Sequence, residues 1–250
     1  MSKVPRVTLA FWIIKILATT VGETGGDALS MTLNLGYAVS SLIFLAFFGV
    51  ALAAQVSSRK YRPFSYWAVV VATTTVGTTM SDYLDRTVGL GYIKASVLLF
   101  CGVLAVLFLW HRAAGRVEFE DITTRKEEVF YWSTILVSNT LGTALGDYVA
   151  TTAGLGFERG ALLFSGLLAI VALSRFASRK IPPSALFWSA YVLTRPLGAT
   201  LGDTLTKPRA DGGFALGRIT SSLAIAAFMV AGIILASSRE RPRAEPSFGD

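Results

Sequence analysis

The segment "WSTILVSNTLGTALGD", from Trp132 to Asp147, recurs three more times without a gap, and this repetition decides the fold. The other copies are "WIIKILATTVGETGGD" from Trp12, "WAVVVATTTVGTTMSD" from Trp67 and "WSAYVLTRPLGATLGD" from Trp188. Each copy has a Trp, a Gly ten positions later and an Asp five positions after that Gly. A fixed spacing of this kind predicts four copies of one structural unit.

The composition places these units in a membrane. Of the 250 residues, 53% are hydrophobic and 16% are charged, and the mean hydropathy is +0.57, which excludes an ordinary soluble domain. Apolar runs of about twenty residues predict eight transmembrane helices. These runs lie near residues 7–33, 37–57, 64–87, 92–111, 128–153, 158–176, 184–206 and 214–237. We therefore expect an all-α integral membrane protein.

The helices group into four two-helix repeats within a single transmembrane domain that covers residues 1–250. The repeats are expected at about 7–57, 64–111, 128–176 and 184–237, followed by a flexible cytoplasmic tail at 238–250. An even number of helices per repeat makes all four repeats parallel, related by a pseudo-four-fold axis along the membrane normal. We expect the odd helices, which share polar positions, to lie inside and the apolar even helices to lie outside.

The basic residues predict the orientation. Fifteen Lys and Arg residues fall in the N-terminal segment, in the second, fourth and sixth connections and in the C-terminal tail, against six in the opposite connections. Lys and Arg are retained in the cytoplasm during insertion, so both termini of this multi-pass protein are expected there. The net charge of +7 then reflects topology and affinity for anionic lipid, and no nucleic-acid partner is expected.

Two sets of glycines accompany the four aspartates. The first set is Gly22, Gly77, Gly142 and Gly198, and the second set, nine residues after each aspartate, is Gly36, Gly91, Gly156 and Gly212. We interpret the first set as helix-packing positions, because small residues let membrane helices approach closely. The Trp of each copy is predicted to be an interfacial anchor.

The aspartates are the candidate site. Asp27, Asp82, Asp147 and Asp203 fall near the C-terminal ends of the odd helices, where an ionised acid is unfavourable in a membrane. Oxygen-bearing side chains three or four residues earlier share a helix face with each of them. These side chains are Glu23, Thr24, Thr78, Thr79, Thr143 and Thr200. We expect the four aspartates and these residues to form a ring that binds a hard cation, such as a metal ion, or protons.

The fourth copy departs from the others at "LTRPLG", where Arg195 and Pro196 come shortly before Gly198, the glycine of the shared spacing. An internal Arg among five acids is a candidate counter-ion, and it is expected to reach Asp203 or an acid of an adjacent repeat. In that case the acids form a static salt-bridge network that needs no metal. Lys15, nearer the cytoplasmic end, is expected to snorkel to the membrane surface.

The Gly-x-x-x-x-Asp pattern on paired helices, seen in "TLGTALGDY" (140–148) and "TTAGLGF" (151–157), resembles bacterial membrane-anchored repeat proteins that are described as uncharacterised. The likeness spans all eight predicted helices. The resemblance implies an all-helical fold in the bacterial inner membrane, and it implies no particular chemistry.

Two functions follow from the residues. The first is a transporter or channel for a hard cation, or a proton-coupled transporter, that uses the Asp and Thr ring. The alternative is a non-transporting binding or assembly module whose acids pair structurally with Arg195. An enzyme is not expected, because the sequence has no nucleophile with a base, no His-containing metal motif and no phosphate loop. The expected partners are the lipid bilayer and an inorganic cation or proton. No further cofactor is predicted, and a homo-oligomer is compatible with the sequence.

Overall fold

The computed structural model describes residues 3–58, 60–117, 122, 124–177 and 180–239, and within these residues all regular structure is helical. The eight α-helices are α1 (Leu9–Asp27), α2 (Gly36–Ser57), α3 (Pro63–Asp82), α4 (Tyr92–Ala114), α5 (Arg125–Asp147), α6 (Phe157–Ala177), α7 (Pro183–Thr206) and α8 (Arg218–Arg239). The predicted all-helical fold is therefore confirmed. Residues 240–250 of the predicted tail lie outside the described residues, as do Arg59 and Arg179 of the predicted cytoplasmic connections.

The odd helices form a closed ring. Helix α1 packs against α3 and α7, and α5 packs against the same two helices from the opposite side. Their shared faces are buried although they carry many hydroxyl and charged side chains. These polar side chains are therefore enclosed by protein and do not face the surroundings of the bundle.

The even helices form the outer layer. Within the described residues, only α2, α4, α6 and residues 218–238 of α8 are long and apolar enough to cross a membrane by length and composition. Large apolar side chains such as Leu42, Phe108, Leu162 and Phe228 are exposed along them. An apolar surface of this extent suits contact with lipid. The odd helices have lower mean hydropathy because of their buried polar positions.

The packed helix pairs are offset from the sequence repeats. Helix α2 packs against α3, α4 against α5, α6 against α7, and α8 returns to pack against α1. We expected the two helices of one repeat to form the hairpin, but each even helix mainly covers the odd helix of the next repeat. The connection after each odd helix therefore leads to an even helix that packs mainly on another odd helix.

That connection has an unusual conformation. In the first three repeats a five-residue π-helix follows the aspartate directly, at Ala28–Thr32, Tyr83–Thr87 and Tyr148–Thr152. The glycine of the second set then begins or precedes the even helix with positive φ, as at Gly36 (72°) and Gly91 (73°). Glycine adopts this backbone region without a steric penalty. The second glycine set is thus required by the turn.

Candidate functional site

The inner face of each odd helix carries five buried positions spaced by four residues, a spacing that returns to the same face of a helix. We call the resulting sets of four the inner layers. From the N-terminal to the C-terminal ends of the odd helices, they are Phe11, Tyr66, Tyr131 and Phe187; Lys15, Val70, Ile135 and Tyr191; Thr19, Thr74, Asn139 and Arg195; Glu23, Thr78, Thr143 and Ala199; and Asp27, Asp82, Asp147 and Asp203. All twenty side chains are buried. Of these twenty residues, the predicted site residues were the four aspartates, Glu23, Thr78, Thr143 and Arg195.

An aromatic layer closes the N-terminal end of the ring. An aromatic residue precedes each repeat's Trp, and its ring contacts the Trp of the next repeat. The ring centroids are 5.5 Å apart for Phe11 and Trp67, 5.4 Å for Tyr66 and Trp132, 5.8 Å for Tyr131 and Trp188, and 5.7 Å for Phe187 and Trp12. Trp67, Trp132 and Trp188 are buried in this layer, so their predicted role as interfacial anchors is wrong. The aromatic residue directly before each Trp is the sequence pattern from which this layer could have been predicted.

The first glycine set brings the odd helices together. A β-carbon on Gly22 would overlap the side chain of Thr74, and one on Gly198 would overlap Thr19. Gly77 lies against the backbone of Asn139 in the same manner, and Gly142 lies against Arg195. Each glycine thus accommodates the third-layer residue of the following repeat. This close approach is the packing role expected of small residues in membrane helices.

Arg195 crosses the centre of the ring from α7 to α3. Its guanidinium lies 2.9 Å from Oε2 of Glu23 and donates a hydrogen bond to the hydroxyl of Thr78. It also donates to the carbonyl oxygens of Thr19 (3.5 Å) and Thr74 (3.4 Å). The acid that it meets therefore belongs to the adjacent first repeat and is not Asp203.

The aspartates of the first and fourth repeats share one lysine. Nζ of Lys207 is 3.1 Å from a carboxylate oxygen of Asp27 and 3.1 Å from one of Asp203, and Nε of Arg218 is 3.5 Å from Asp27. Lys207 follows the last residue of α7. Burial opposes its charge, but the carboxylates of Asp203 and Asp27 outweigh burial and raise the pKa of Lys207, which keeps the ammonium charged.

The aspartates of the second and third repeats share Arg86. Its guanidinium is 2.9 Å from Asp82 and 3.8 Å from Asp147. Arg86 and Lys207 each follow an aspartate by four residues, which places them one helical turn beyond it. Neither residue was a predicted site residue, because this i,i+4 relationship was missed in the sequence. The predicted ring is thus organised as two bridged pairs of aspartates.

Three carboxylates converge closely enough to hold a cation. Glu23, Asp27 and Asp203 each offer an oxygen within 4.8 Å of the others, and all three are buried. The contact of Lys207 with Oδ1 of Asp203 lacks hydrogen-bond geometry, so that oxygen has no hydrogen-bond partner among the described residues. Oxygen ligands of this kind suit hard cations.

The predicted threonines separate into two groups. Thr78 joins the acid cluster through Glu23 (3.3 Å) and Arg195. The others bond elsewhere: the hydroxyls of Thr79, Thr143 and Thr200 donate to carbonyls of their own helices, and that of Thr24 accepts a hydrogen bond from Ser222 of α8. Backbone bonding of this type is a common structural use of Thr in helices.

Lys15 does not snorkel. Its side chain is completely buried, and Nζ lies 4.2 Å from the centroid of the Tyr191 ring. The expectation failed because Lys15 is on the inner face of α1, one turn from the aromatic layer that blocks its route to the N-terminal end of the bundle.

The family described as Repeat of Unknown Function (DUF347) matches residues 10–61, 65–116, 130–180 and 186–242, and the chain therefore belongs to this family. The four matches confirm the predicted internal repetition. Neither a curated protein nor a solved structure matches the chain.

Proposed function

We propose that all eight helices cross the bacterial inner membrane around a pseudo-four-fold axis, with both termini in the cytoplasm. The closed ring of odd helices and the apolar outer layer support this arrangement. The distribution of Lys and Arg supports the orientation. Reporter fusions at the two termini test it, since reporters on opposite sides would exclude it.

Within this arrangement the protein is a hard-cation or proton-coupled transporter, and its acid layers are the binding site. The observation that carries the proposal is the convergence of Glu23, Asp27 and Asp203, whose carboxylate oxygens lie within 4.8 Å of one another in the buried interior. Carboxylate oxygens this close together offer several ligands to one hard cation at the same time.

The balance of charged side chains in the acid layers also favours a bound cation. The two acid layers contain five carboxyl groups: Glu23, Asp27, Asp82, Asp147 and Asp203. Among the described residues, four basic side chains contact them, namely Arg86, Arg195, Lys207 and Arg218. The cluster therefore has one acid more than its contacting bases. In a membrane interior one bound proton or monovalent cation neutralises that excess.

Lys207 allows the site to exchange a bound cation. Its ammonium bridges Asp27 and Asp203, the place that a bound cation would share. Lys207 stands beyond the end of α7 and is partly exposed, whereas Arg195 is fixed inside the ring. A cation that enters from the C-terminal ends of the odd helices competes with the lysine for these two carboxylates, while the aromatic layer keeps the opposite end closed.

The alternative function is a non-transporting scaffold. The fully buried pair of Arg195 and Glu23, which also holds Thr78, favours it because the pair forms without any added ion. Under this alternative the acids stabilise the bundle, and ions have no specific effect.

Melting temperatures of the purified protein distinguish the two functions. We expect one of Na⁺, K⁺, Mg²⁺, Ca²⁺ or Mn²⁺, or a change in pH, to stabilise the wild type, by about 2.7 kcal/mol at a hundred times the dissociation constant. Asp203→Asn nearly preserves shape and should abolish this stabilisation. The matched control is Asp211→Asn, at an exposed acid in the same repeat, which should retain it. A wild type that no cation or pH change stabilises would favour the scaffold.

A further inference from the structure

Lys15 occupies the second inner layer, where the other repeats have Val70, Ile135 and Tyr191. Its side chain is completely buried, and Nζ has no hydrogen-bond partner among the described residues. The attractive contact that the structure shows is the face of the Tyr191 ring, 4.2 Å from Nζ to the centroid. A ring face stabilises an ammonium less than a carboxylate does.

The surrounding groups do not offset the charge of Lys15. Helix α1 packs against α3, α7 and α8. Helix α7 presents Tyr191 and Arg195, and the guanidinium of Arg195 repels the ammonium. The ionisable residues of α3 are Tyr66 in the aromatic layer and Asp82 in the outermost layer, and α8 has none between its two terminal arginines.

Arg195, one layer away, has a very different environment. Its guanidinium has a carboxylate, a hydroxyl and two carbonyl oxygens as partners, so it is held as a permanent cation. Lys15 has none of these partners, and an isolated charge in the interior is strongly disfavoured. A lysine, unlike an arginine, avoids this cost by releasing its proton.

Hydroxyl groups continue from Lys15 toward the N-terminal end of the ring. The hydroxyl of Tyr191 is buried and has no hydrogen-bond partner among the described residues. The hydroxyls of Tyr66 and Tyr131, in the aromatic layer, are 2.6 Å apart. Hydroxyl groups both donate and accept hydrogen bonds, so these tyrosines are the groups that can relay a proton across a layer that is otherwise apolar.

We infer that Lys15 is the inner proton-binding site of the protein, and that protons cross the aromatic half of the ring by way of its amine. The amine nitrogen takes up one proton to become an ammonium and later releases the same proton, and nothing else is consumed. This inference rests on the proposed transport through the inner layers. It adds that the ion crossing the N-terminal half is the proton.

The test uses the full-length protein in proteoliposomes that contain a pH-sensitive dye, with a potassium diffusion potential to drive protons. Lys15→Arg keeps a positive charge but cannot release it, and Lys15→Met removes the charge. We expect both variants to lose proton flux by about a hundredfold or more, the scale for losing a proton-transfer group. The control is Lys94→Arg, at an exposed lysine of α4, which should behave as the wild type does.

Cation-dependent melting, measured on the same samples, reports the outer carboxylate site and the folded state separately. We expect it to be unchanged in both Lys15 variants. Wild-type flux in Lys15→Arg would overturn the inference, because a static charge would then suffice. A wild type that is stabilised by cations but carries no protons would overturn the inference and leave the outer site standing. A wild type that is neither stabilised by cations nor permeable to protons would overturn the proposed function as well.

Discussion

At the scale of single residues, Arg195 distinguishes one repeat from the other three. The equivalent positions hold Thr19, Thr74 and Asn139, which are uncharged and smaller. The guanidinium of Arg195 reaches Glu23, which lies in the next inner layer and is the one acid of that layer. The two departures from the repeat pattern therefore contact each other, and this pair makes the interior asymmetric.

Replacement of Arg195 by Met should leave Glu23 buried without its partner. Removing one member of a buried ion pair typically lowers the free energy of unfolding by about 3–5 kcal/mol. The double variant Glu23→Gln with Arg195→Met should recover part of this loss, because no unpaired charge then remains. Arg209→Met, at an exposed arginine, is the control. An unchanged melting temperature for Arg195→Met in detergent would exclude the counter-ion role.

The sequence predicted an internal counter-ion but not its partner. Asymmetry between aligned copies was enough to single out Arg195 and Glu23 separately. Their pairing depends on a side chain that crosses the ring, which no spacing along one helix reveals. The burial of Lys15 was missed for a similar reason, since the aromatic layer that blocks its exit is built from four separate segments.

At the scale of helices, close packing of the ring depends on the first glycine set. Gly77 is the clearest case, because an added β-carbon would lie 2.9 Å from the backbone carbonyl carbon of Asn139. A backbone cannot rotate away as a side chain can, so the helices themselves would have to separate. The separation would also disturb the inner layers next to it.

Gly77→Ala should therefore lower the free energy of unfolding by about 1–3 kcal/mol, the usual effect of overpacking. Gly166→Ala is the matched control, because no atom lies within 4 Å of the added β-carbon in α6. Thermal unfolding of both variants in the same detergent measures the difference. Equal melting temperatures would show that the odd helices are not held at this distance by glycine.

The existence and approximate bounds of all eight helices could be predicted, because apolar runs and aligned copies determine them. The π-helices after Asp27, Asp82 and Asp147 could not, since no residue type in those segments demands the extra residue per turn. The offset pairing, in which α2 covers α3, was also missed, because spacing along the chain does not show which odd helix an even helix contacts.

At the scale of the whole molecule, the inner layers run from an acidic end to an aromatic end. The acid layers are reached past Lys207 and Arg86, which are partly exposed, and the aromatic layer fills the opposite end with contacts between successive repeats. Helix α8 packs against α1, so the last repeat contacts the first. This arrangement suits an ion-binding site that lies near the acidic end and is separated from the N-terminal end by the aromatic layer.

Ion flux through the reconstituted protein shows whether the buried carboxylates transport a cation. Proteoliposomes should be given outward and inward gradients of Na⁺, K⁺, Mg²⁺, Ca²⁺, Mn²⁺ and protons, with empty liposomes as the baseline. We predict flux above that baseline for at least one hard cation or for protons, and a return to the baseline in Asp203→Asn but not in Asp211→Asn. Baseline flux for every ion in a folded wild type, or full flux in Asp203→Asn, would contradict the account.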